Sequence, residues 1–213
     1  MARKLILTVL LMGSTVSVFY VLLMRLSYLP SPIDLPAVLC LQNCSEQRWH
    51  TVAPEQRSNI SLSTIDKSKT SILVEKSKYR LTVYYDKKPV KSYPVVFGNN
   101  PVDDKSSEGD RRTPEGIFQI RDLYEHPDWS KFFWLDYPTP QSWRKHLSAK
   151  LKGQIGWFST VGSEIGIHGL PQGQDAMIDQ RKNWTWGCVS LKNQDVEEIY
   201  RIVQVGTIVE IVP

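Results

Sequence analysis

Short runs of β-branched and aromatic residues dominate the chain from residue 71 onward. Ile72–Val74, Leu81–Tyr85 and Val90–Phe97 are three such runs, and Asp86–Pro89 supplies turn residues between the last two. Runs of this length and composition predict β-strands, and the short turn predicts a hairpin. Further strands are expected at four places: Gly116–Leu123, Lys131–Tyr137, the segment that ends at His168, and Thr207–Val212.

Two segments have helical features within this β pattern. Gln141–Leu151 is one candidate. The other begins at Asn193, a residue type that caps helix N-termini, and carries apolar residues at helical spacing before Gly206. A sheet with one or two helices favours a sandwich or an open barrel. The chain is therefore expected to form a mainly β domain.

The N-terminal region differs from this domain in composition. Leu5–Met24 is twenty residues without a charge, about 30 Å of helix, which is enough to cross a bilayer. Two cations precede it and one follows, which favours an N-terminus in the cytoplasm. A cleaved signal peptide would have a shorter apolar region and a small-x-small site, and Leu26–Pro36 offers none. We expect an uncleaved anchor over residues 1–26, a flexible linker over 27–69 and a folded domain over 70–213.

Charge and cysteine content exclude several classes of protein. The net charge of +4 is spread along the chain, so no nucleic-acid partner is expected. Cys40 and Cys44 form a single C-x3-C pair, too few thiols for a zinc site or a disulfide framework. If the bulk of the chain lies outside the cytoplasm, the two cysteines could form a local disulfide or bridge two chains. Two idle thiols in a flexible segment are an equal alternative. Cys188 lies far from both.

His168 and Cys188 are the candidate catalytic residues. A thiol attacks a carbonyl as thiolate and needs a base nearby, usually a histidine. Gly187 would let the backbone turn so that amides around Cys188 face one oxyanion. The competing interpretation is a small buried cysteine and a hydrogen-bonded histidine without function. His126 and His146 are interpreted as surface or loop histidines.

The wider motifs resemble one known family. His168, sixteen further residues and then Thr185-Trp186-Gly187-Cys188-Val189 are similar to the signature of the YkuD-type L,D-transpeptidases. Three other segments are similar to parts of that family: Tyr79–Gly98 to its opening hairpin, Asn100–Phe118 to its NP-x-x-DK-x-x-EGD-x-x-TPEG-x-F loop, and Gly206–Pro213 to its closing strand. Two residues depart from the family pattern. Most members have His where this chain has Trp186, directly before the Gly–Cys pair, and many have Arg or Asn where it has Ser190, two residues after the Cys.

This resemblance implies a fold and a reaction. The fold would be a β-sandwich-like mixed sheet with the site under a loop. The reaction would be acyl transfer on peptidoglycan stem peptides through a thioester on Cys188, without metal or cofactor, in the periplasm or outside the cell. The backbone amide of Gly187 would stabilise the oxyanion, and the backbone carbonyl near Gly169 would orient the imidazole of His168.

Other residues are candidates for contact with the substrate. Trp186, Thr185 and Ser190 surround the thiol in sequence. Arg111 and Arg112 lie in a long polar loop over residues 99–115 and could bind a carboxylate, since a guanidinium presents a matching fork of donors. The alternative is a loop whose charges stabilise only itself.

Two other functions remain open. A carboxypeptidase or endopeptidase that hydrolyses the same bonds, or an amidase, would use the same thioester. A wall-binding module without turnover would need no nucleophile. A wall-linked acceptor protein is a further unknown partner. The membrane is expected as a partner through residues 5–24.

Overall fold

The computed structural model describes residues 15–40 and 65–213. Its centre is one mixed sheet of eight strands: β1 Thr70–Glu75, β2 Arg80–Tyr85, β3 Lys88–Pro94, β4 Gly116–His126, β5 Ser130–Leu135, β6 Gly166–His168, β7 Val189–Ser190 and β8 Ile208–Val212. The strand order is β3-β2-β1-β8-β4-β5-β6-β7. β1 with β8 and β6 with β7 are parallel, and the other pairs are antiparallel. The prediction of a mainly β domain with a few helices is confirmed.

The long strand β4 makes the sheet curl. Its first four residues pair with β8, and its remainder pairs with β5 after a register shift between Ile120 and Asp122. Such a bulge bends a strand and increases its twist. The curl brings the chain after β3 close to β7, where Val96 and Ser190 form an isolated bridge. The inner face buries apolar side chains from most strands, among them Val83, Phe118, Ile167 and Val209.

The end of β3 differs from the prediction. The hairpin turn lies at Asp86 and Lys87, which both have positive φ, 48° and 63°. β3 then ends at Pro94 instead of Phe97, since proline cannot donate to a sheet ladder. The Val95 amide still donates to the carbonyl of Tyr79, next to β2, at 3.1 Å. From Val96 the chain bonds across the curl, with the Val96 amide donating to the Ser190 carbonyl at 2.8 Å.

Five α-helices and one short 3-10 helix, Lys67–Lys69, are described. The described part of α1 is residues 15–25, and the others are α2 Leu35–Val38, α3 Pro140–Leu151, α4 Ala176–Asp179 and α5 Asn193–Tyr200. α3 has Thr139 as its N-cap, whose hydroxyl accepts from the Ser142 amide. The N-cap of α5 is Lys192, so the prediction for Asn193 was wrong. The Asn193 side chain bonds the backbone of Leu170 instead.

The N-terminal predictions are described only in part. Residues 5–14 of the expected span lie outside the described residues, and none of the described helices is long and apolar enough to cross a membrane. The span stays a prediction. Within the expected linker, residues 27–40 are described and Val38 is buried in the main core, while residues 41–64 lie outside the described ranges. Cys40 is disulfide-bonded. Cys44, its partner in the alternative of a local disulfide, lies outside the described ranges.

Candidate active site

The parallel pair β6–β7 brings the two candidate residues to neighbouring strands. Ile167 pairs with Val189 and His168 with Ser190, so Cys188 directly precedes β7. Side chains alternate between faces along a strand. His168 and Ser190 therefore share a face, and continuing the alternation backwards places Cys188 on that face too. Both Cys188 and His168 line the same cavity.

The imidazole of His168 is held by one hydrogen bond and two aromatic rings. Its Nδ1 lies 2.7 Å from the Gly169 carbonyl oxygen and donates to it. The ring stacks on Trp129 at 4.4 Å and on Phe132 at 5.5 Å between centroids. Because Nδ1 carries the proton, Nε2 of the neutral ring is the basic nitrogen.

Burial controls the protonation state of His168. The residue is only 2% exposed, and desolvation disfavours a charged imidazole. Burial lowers the pKa of His168 to about 4, although the hydrogen bond to the Gly169 carbonyl opposes that shift. At neutral pH the ring is therefore uncharged and able to accept a proton.

The backbone of Gly169 holds the ring of His168 through its carbonyl group. Its carbonyl also accepts a hydrogen bond from the Ser190 hydroxyl at 3.0 Å, and its amide donates to the Trp129 carbonyl at 3.0 Å. A Cβ at Gly169 would lie 2.1 Å from the Asn193 Oδ1, so only glycine fits there. The orienting role expected for Gly169 agrees with this geometry.

Cys188 is a free thiol in a half-buried position. Its Sγ lies 3.5 Å from the Glu164 carbonyl oxygen. Burial raises the pKa of the Cys188 thiol to about 11, while a hydrogen bond from the Gly166 backbone and the charge of Lys105 lower it in part. The pair therefore rests as thiol and neutral imidazole, and forming the thiolate requires proton transfer.

An aromatic cavity of about 590 Å³ opens over the pair. Its walls are mostly aromatic rings, with Glu164, Thr185, His168 and Cys188 as its polar groups; the rings are Tyr124, His126, Trp129, Phe132, Trp134, Trp184 and Trp186. A mostly apolar cavity with a few convergent polar groups is typical of a small-ligand or peptide site.

The turn before Cys188 is closed by its own hydrogen bonds. The Thr185 hydroxyl donates to the Cys188 carbonyl at 2.7 Å and accepts from the Gly187 amide at 3.2 Å. The Gly187 amide is thus used within the turn, contrary to the oxyanion role expected for it. Gly187 has φ 140°, and a Cβ there would lie 2.7 Å from the Arg112 carbonyl oxygen. Its contribution is the shape of the turn.

The other predicted contact residues separate into two groups. Trp186 is exposed at the cavity, and the Arg111 guanidinium lies 5.6 Å from its ring centroid. Ser190 is fully buried behind His168 and is not part of the cavity wall. Arg112 points to a different cavity, where it pairs with Asp103.

The loop over residues 99–115 is ordered by buried charges. The Asp110 carboxylate accepts hydrogen bonds from Lys105 at 2.8 Å and from the amides of Ser106, Ser107 and Arg112. Burial raises the pKa of Asp110, but the hydrogen bonds from Lys105 and these amides outweigh burial and hold the pKa below its usual value. This part of the loop stabilises itself.

Sequence reasoning missed the aromatic clamp and misplaced two histidines. Trp129 and Phe132 clamp His168, and Phe132 is its register partner across β5–β6. His126 lines the cavity and stacks on Trp129 at 4.3 Å. His146 is fully buried, with Nδ1 2.7 Å from the Ser106 carbonyl oxygen. The alternation of Phe132 and Trp134 along β5 was an available signal for one side of the clamp, and no strand pattern pointed to Trp129.

Several solved structures are similar to this chain. The helical cell shape determining protein Pgp2 from Campylobacter jejuni is 27% identical with a TM-score of 0.49, covering 67% of this chain and 46% of that one. Bd1075 from Bdellovibrio bacteriovorus is 20% identical (TM-score 0.45, coverage 74% and 51%). An L,D-transpeptidase from Enterococcus faecium is 16% identical (TM-score 0.43, coverage 70% and 50%). The chain spans about half the length of these structures.

A comparison of sequences gives the family. No curated protein sequence matches the chain. One family profile, described as the YkuD L,D-transpeptidase catalytic domain, matches residues 69–211, a range that contains both His168 and Cys188. The predicted resemblance is therefore confirmed, and the chain belongs to the YkuD family of L,D-transpeptidase catalytic domains.

Proposed function

We propose that this chain is an L,D-transpeptidase that forms a thioester on Cys188 with a peptidoglycan stem peptide. The observation that carries the proposal is a single cavity containing a free thiol and a neutral histidine whose Nδ1 is bound to a carbonyl. This arrangement supplies a nucleophile and a base with a fixed tautomer. Family membership supports stem peptides as the substrate class.

The reaction begins with a proton transfer. The Nε2 of His168 takes the thiol proton as the sulfur attacks the carbonyl carbon of the amide between an L-centre and the terminal D-residue. The amide C–N bond then breaks, and the imidazolium returns the proton to the departing amine. An acceptor amine, or water, attacks the thioester carbonyl and releases Cys188 as a thiol. The thioester conserves the acyl bond, so no other energy source enters the balance.

Three groups serve the bound peptide in this proposal. The Cys188 backbone amide stabilises the oxyanion, since the Gly187 amide is bound to Thr185. Trp184 and Trp186 wall the cavity and cover the apolar parts of the stem. Arg111, stacked against Trp186, is available to a substrate carboxylate at the rim.

The proposed location follows from substrate and sequence together. The apolar run Leu5–Met24 would span the cytoplasmic (inner) membrane with the N-terminus inside. The catalytic domain would then lie on the outer, periplasmic side, where peptidoglycan is.

Mass spectrometry of the intact chain tests the nucleophile. The wild type should gain the mass of one carbapenem, and Cys188→Ala should gain none, because the acylated atom is absent. Gln194→Ala, an exposed position on α5, serves as the matched control and should acylate like the wild type. Acylation of Cys188→Ala would contradict the proposal by showing that another group is the nucleophile. Absence of acylation in the wild type would contradict it and favour a binding module.

Incubation with tetrapeptide muropeptides tests the acceptor. Crosslinked dimers that depend on Cys188 are expected from transpeptidation. Trimmed monomers alone would show that water is the acceptor, and the protein would then be a hydrolase of the same bonds.

A further inference from the structure

Exposed apolar side chains lie at the end of α3 and in the segment that follows it. Leu151, Trp157 and Phe158 are 77%, 67% and 90% exposed. We call these three residues the apolar tip. Soluble surfaces do expose single apolar residues, but three within eight positions, two of them aromatic, indicate a surface for interaction.

The apolar tip lies three residues before a contact with the end of α1. The Val161 amide donates to the Ser27 carbonyl at 3.2 Å. Ser27 has φ 57°, and the Tyr28 amide donates back to the Leu23 carbonyl at 2.9 Å. This is the hydrogen-bonding pattern of a Schellman helix end. α1 therefore stops at a defined residue that is bonded to the domain.

The chain after α1 also binds the domain. The Arg144 guanidinium on α3 donates to the Ala37 carbonyl at 2.6 Å, and Val38 is buried in the main core. Residues 41–64 come after this docked segment, so they do not separate α1 from the domain. The chain therefore contacts the domain directly after α1, at Ser27, and not only after a long flexible linker.

The apolar tip borders a cationic region. Lys152 directly follows Leu151 and lines an open polar cavity on α3 together with Arg112, Arg144 and Lys145. The acidic residues of that cavity are paired, Asp103 with Arg112 and Asp104 with Lys145. The region keeps a positive balance toward solvent, and its charge is complementary to anionic lipid headgroups.

We infer that the apolar tip inserts into the interface of an anionic phospholipid bilayer, so that the domain rests directly on the membrane. Aromatic side chains favour the headgroup level of a bilayer. The described residues of α1 expose Val18 and Phe19, as expected for a helix surrounded by lipid. The inference rests on the proposed span and is independent of the proposed reaction. A domain with a radius of gyration of about 15 Å would then act only on the wall layer nearest the membrane.

Photolabelling of the full chain in vesicles tests this inference. The chain is reconstituted in phosphatidylethanolamine with phosphatidylglycerol and a lipid bearing a diazirine on its acyl chain, and labelled peptides are mapped by mass spectrometry. Labelling of residues 15–25 reports the span, and labelling of residues 151–160 reports the tip. Both should be labelled. Labelling of 15–25 without 151–160 overturns the tip contact, and absence of both overturns the span.

Variants separate insertion from general proximity to lipid. Trp157→Ser combined with Phe158→Ser should reduce labelling of residues 151–160 at least five-fold. Val205→Ser removes another exposed apolar side chain and should change nothing. An unchanged circular dichroism spectrum and thermal unfolding midpoint verify that each variant is folded, whether or not the protein reacts with a carbapenem. Wild-type hydrogen exchange provides a measurement without mutation, since residues 151–160 should exchange more slowly in vesicles than in detergent. Protection that instead rises with protein concentration in detergent would assign the tip to a second copy.

Discussion

At the scale of the residue, the properties of His168 follow from its surroundings. Two aromatic rings and the Gly169 carbonyl surround the imidazole, and burial keeps it neutral at physiological pH. The thiol of Cys188 is neutral for the same reason. The two shifts favour a mechanism in which the histidine removes the proton during attack, without a stable ion pair beforehand.

The shifted pKa of His168 predicts an unusual pH dependence. The base is the neutral ring, so activity should be lost only as the pH falls through about 4, the pKa of the buried ring, and not near the ordinary 6.5. The measurement is the second-order rate of carbapenem acylation between pH 3.5 and 9. An acid limb with its midpoint near 6.5 would contradict the burial argument.

Protein stability provides an independent check of the same shift. The unfolded histidine binds its proton near pH 6.5 and the folded one near 4, so folding stability is full above 6.5 and declines as the pH falls toward 4. Between pH 7 and 5 this amounts to about 2 kcal/mol. The variant His168→Phe keeps an aromatic ring in the clamp but has no proton to bind. In urea unfolding, its free energy of unfolding should fall between pH 7 and 5 by less than that of the wild type, and the difference should equal this amount.

At the scale of the element, α5 supports the histidine from outside the sheet. The Asn193 side chain accepts from the Leu170 amide at 2.8 Å and donates to the Leu170 carbonyl at 3.1 Å. These bonds fix the backbone next to Gly169, whose carbonyl orients His168. A residue at the start of a helix therefore acts on the site through backbone positions, without touching the cavity.

Asn193→Ala should lower both stability and activity. Two backbone groups lose their partners, which costs about 1–3 kcal/mol when such groups are buried. The acylation rate should fall because the carbonyl that orients the imidazole is less well held. Gln194→Ala changes an exposed neighbour on the same helix and should shift stability by less than about 0.5 kcal/mol. Equal effects of the two variants in urea unfolding would refute this support role.

At the scale of the whole molecule, the curled sheet brings the long loop against the turn that carries the cysteine. A Cβ on Gly187 would meet the Arg112 carbonyl, and one on Gly98 would lie 2.1 Å from the Arg111 carbonyl oxygen. The loop is thus packed directly on the site. Its order depends on the Lys105–Asp110 pair, in which the lysine side chain is only 3% exposed.

Lys105→Met should disorder this loop and slow acylation. It leaves the Asp110 carboxylate buried without its cation, and breaking a buried pair in this way costs about 3–5 kcal/mol. Lys91→Met breaks the exposed pair with Glu198 and provides the control, with an expected cost of about 0–1 kcal/mol. The measurement is urea unfolding together with the acylation rate. A Lys105→Met protein as stable and active as the control would show that the loop is ordered by other contacts.

The amino-acid sequence by itself determined the local structure and the family motifs that contain the candidate catalytic residues. Three features depend only on residues that are close together in sequence: the strand runs, the turn at Asp86 and Lys87, and the motifs around His168 and Cys188. Strand propensity and turn chemistry act over a few positions, which is why these features could be predicted.

Only the tertiary structure decided how those groups are held. After β3 the chain crosses to β7 at Val96, and Asn193 bonds Leu170 instead of capping its own helix. Ser190 is buried behind His168, and Trp129 meets that histidine from another strand connection. Burial and pKa depend on neighbours that are distant along the chain, and local sequence patterns contain no information about which distant residues will meet.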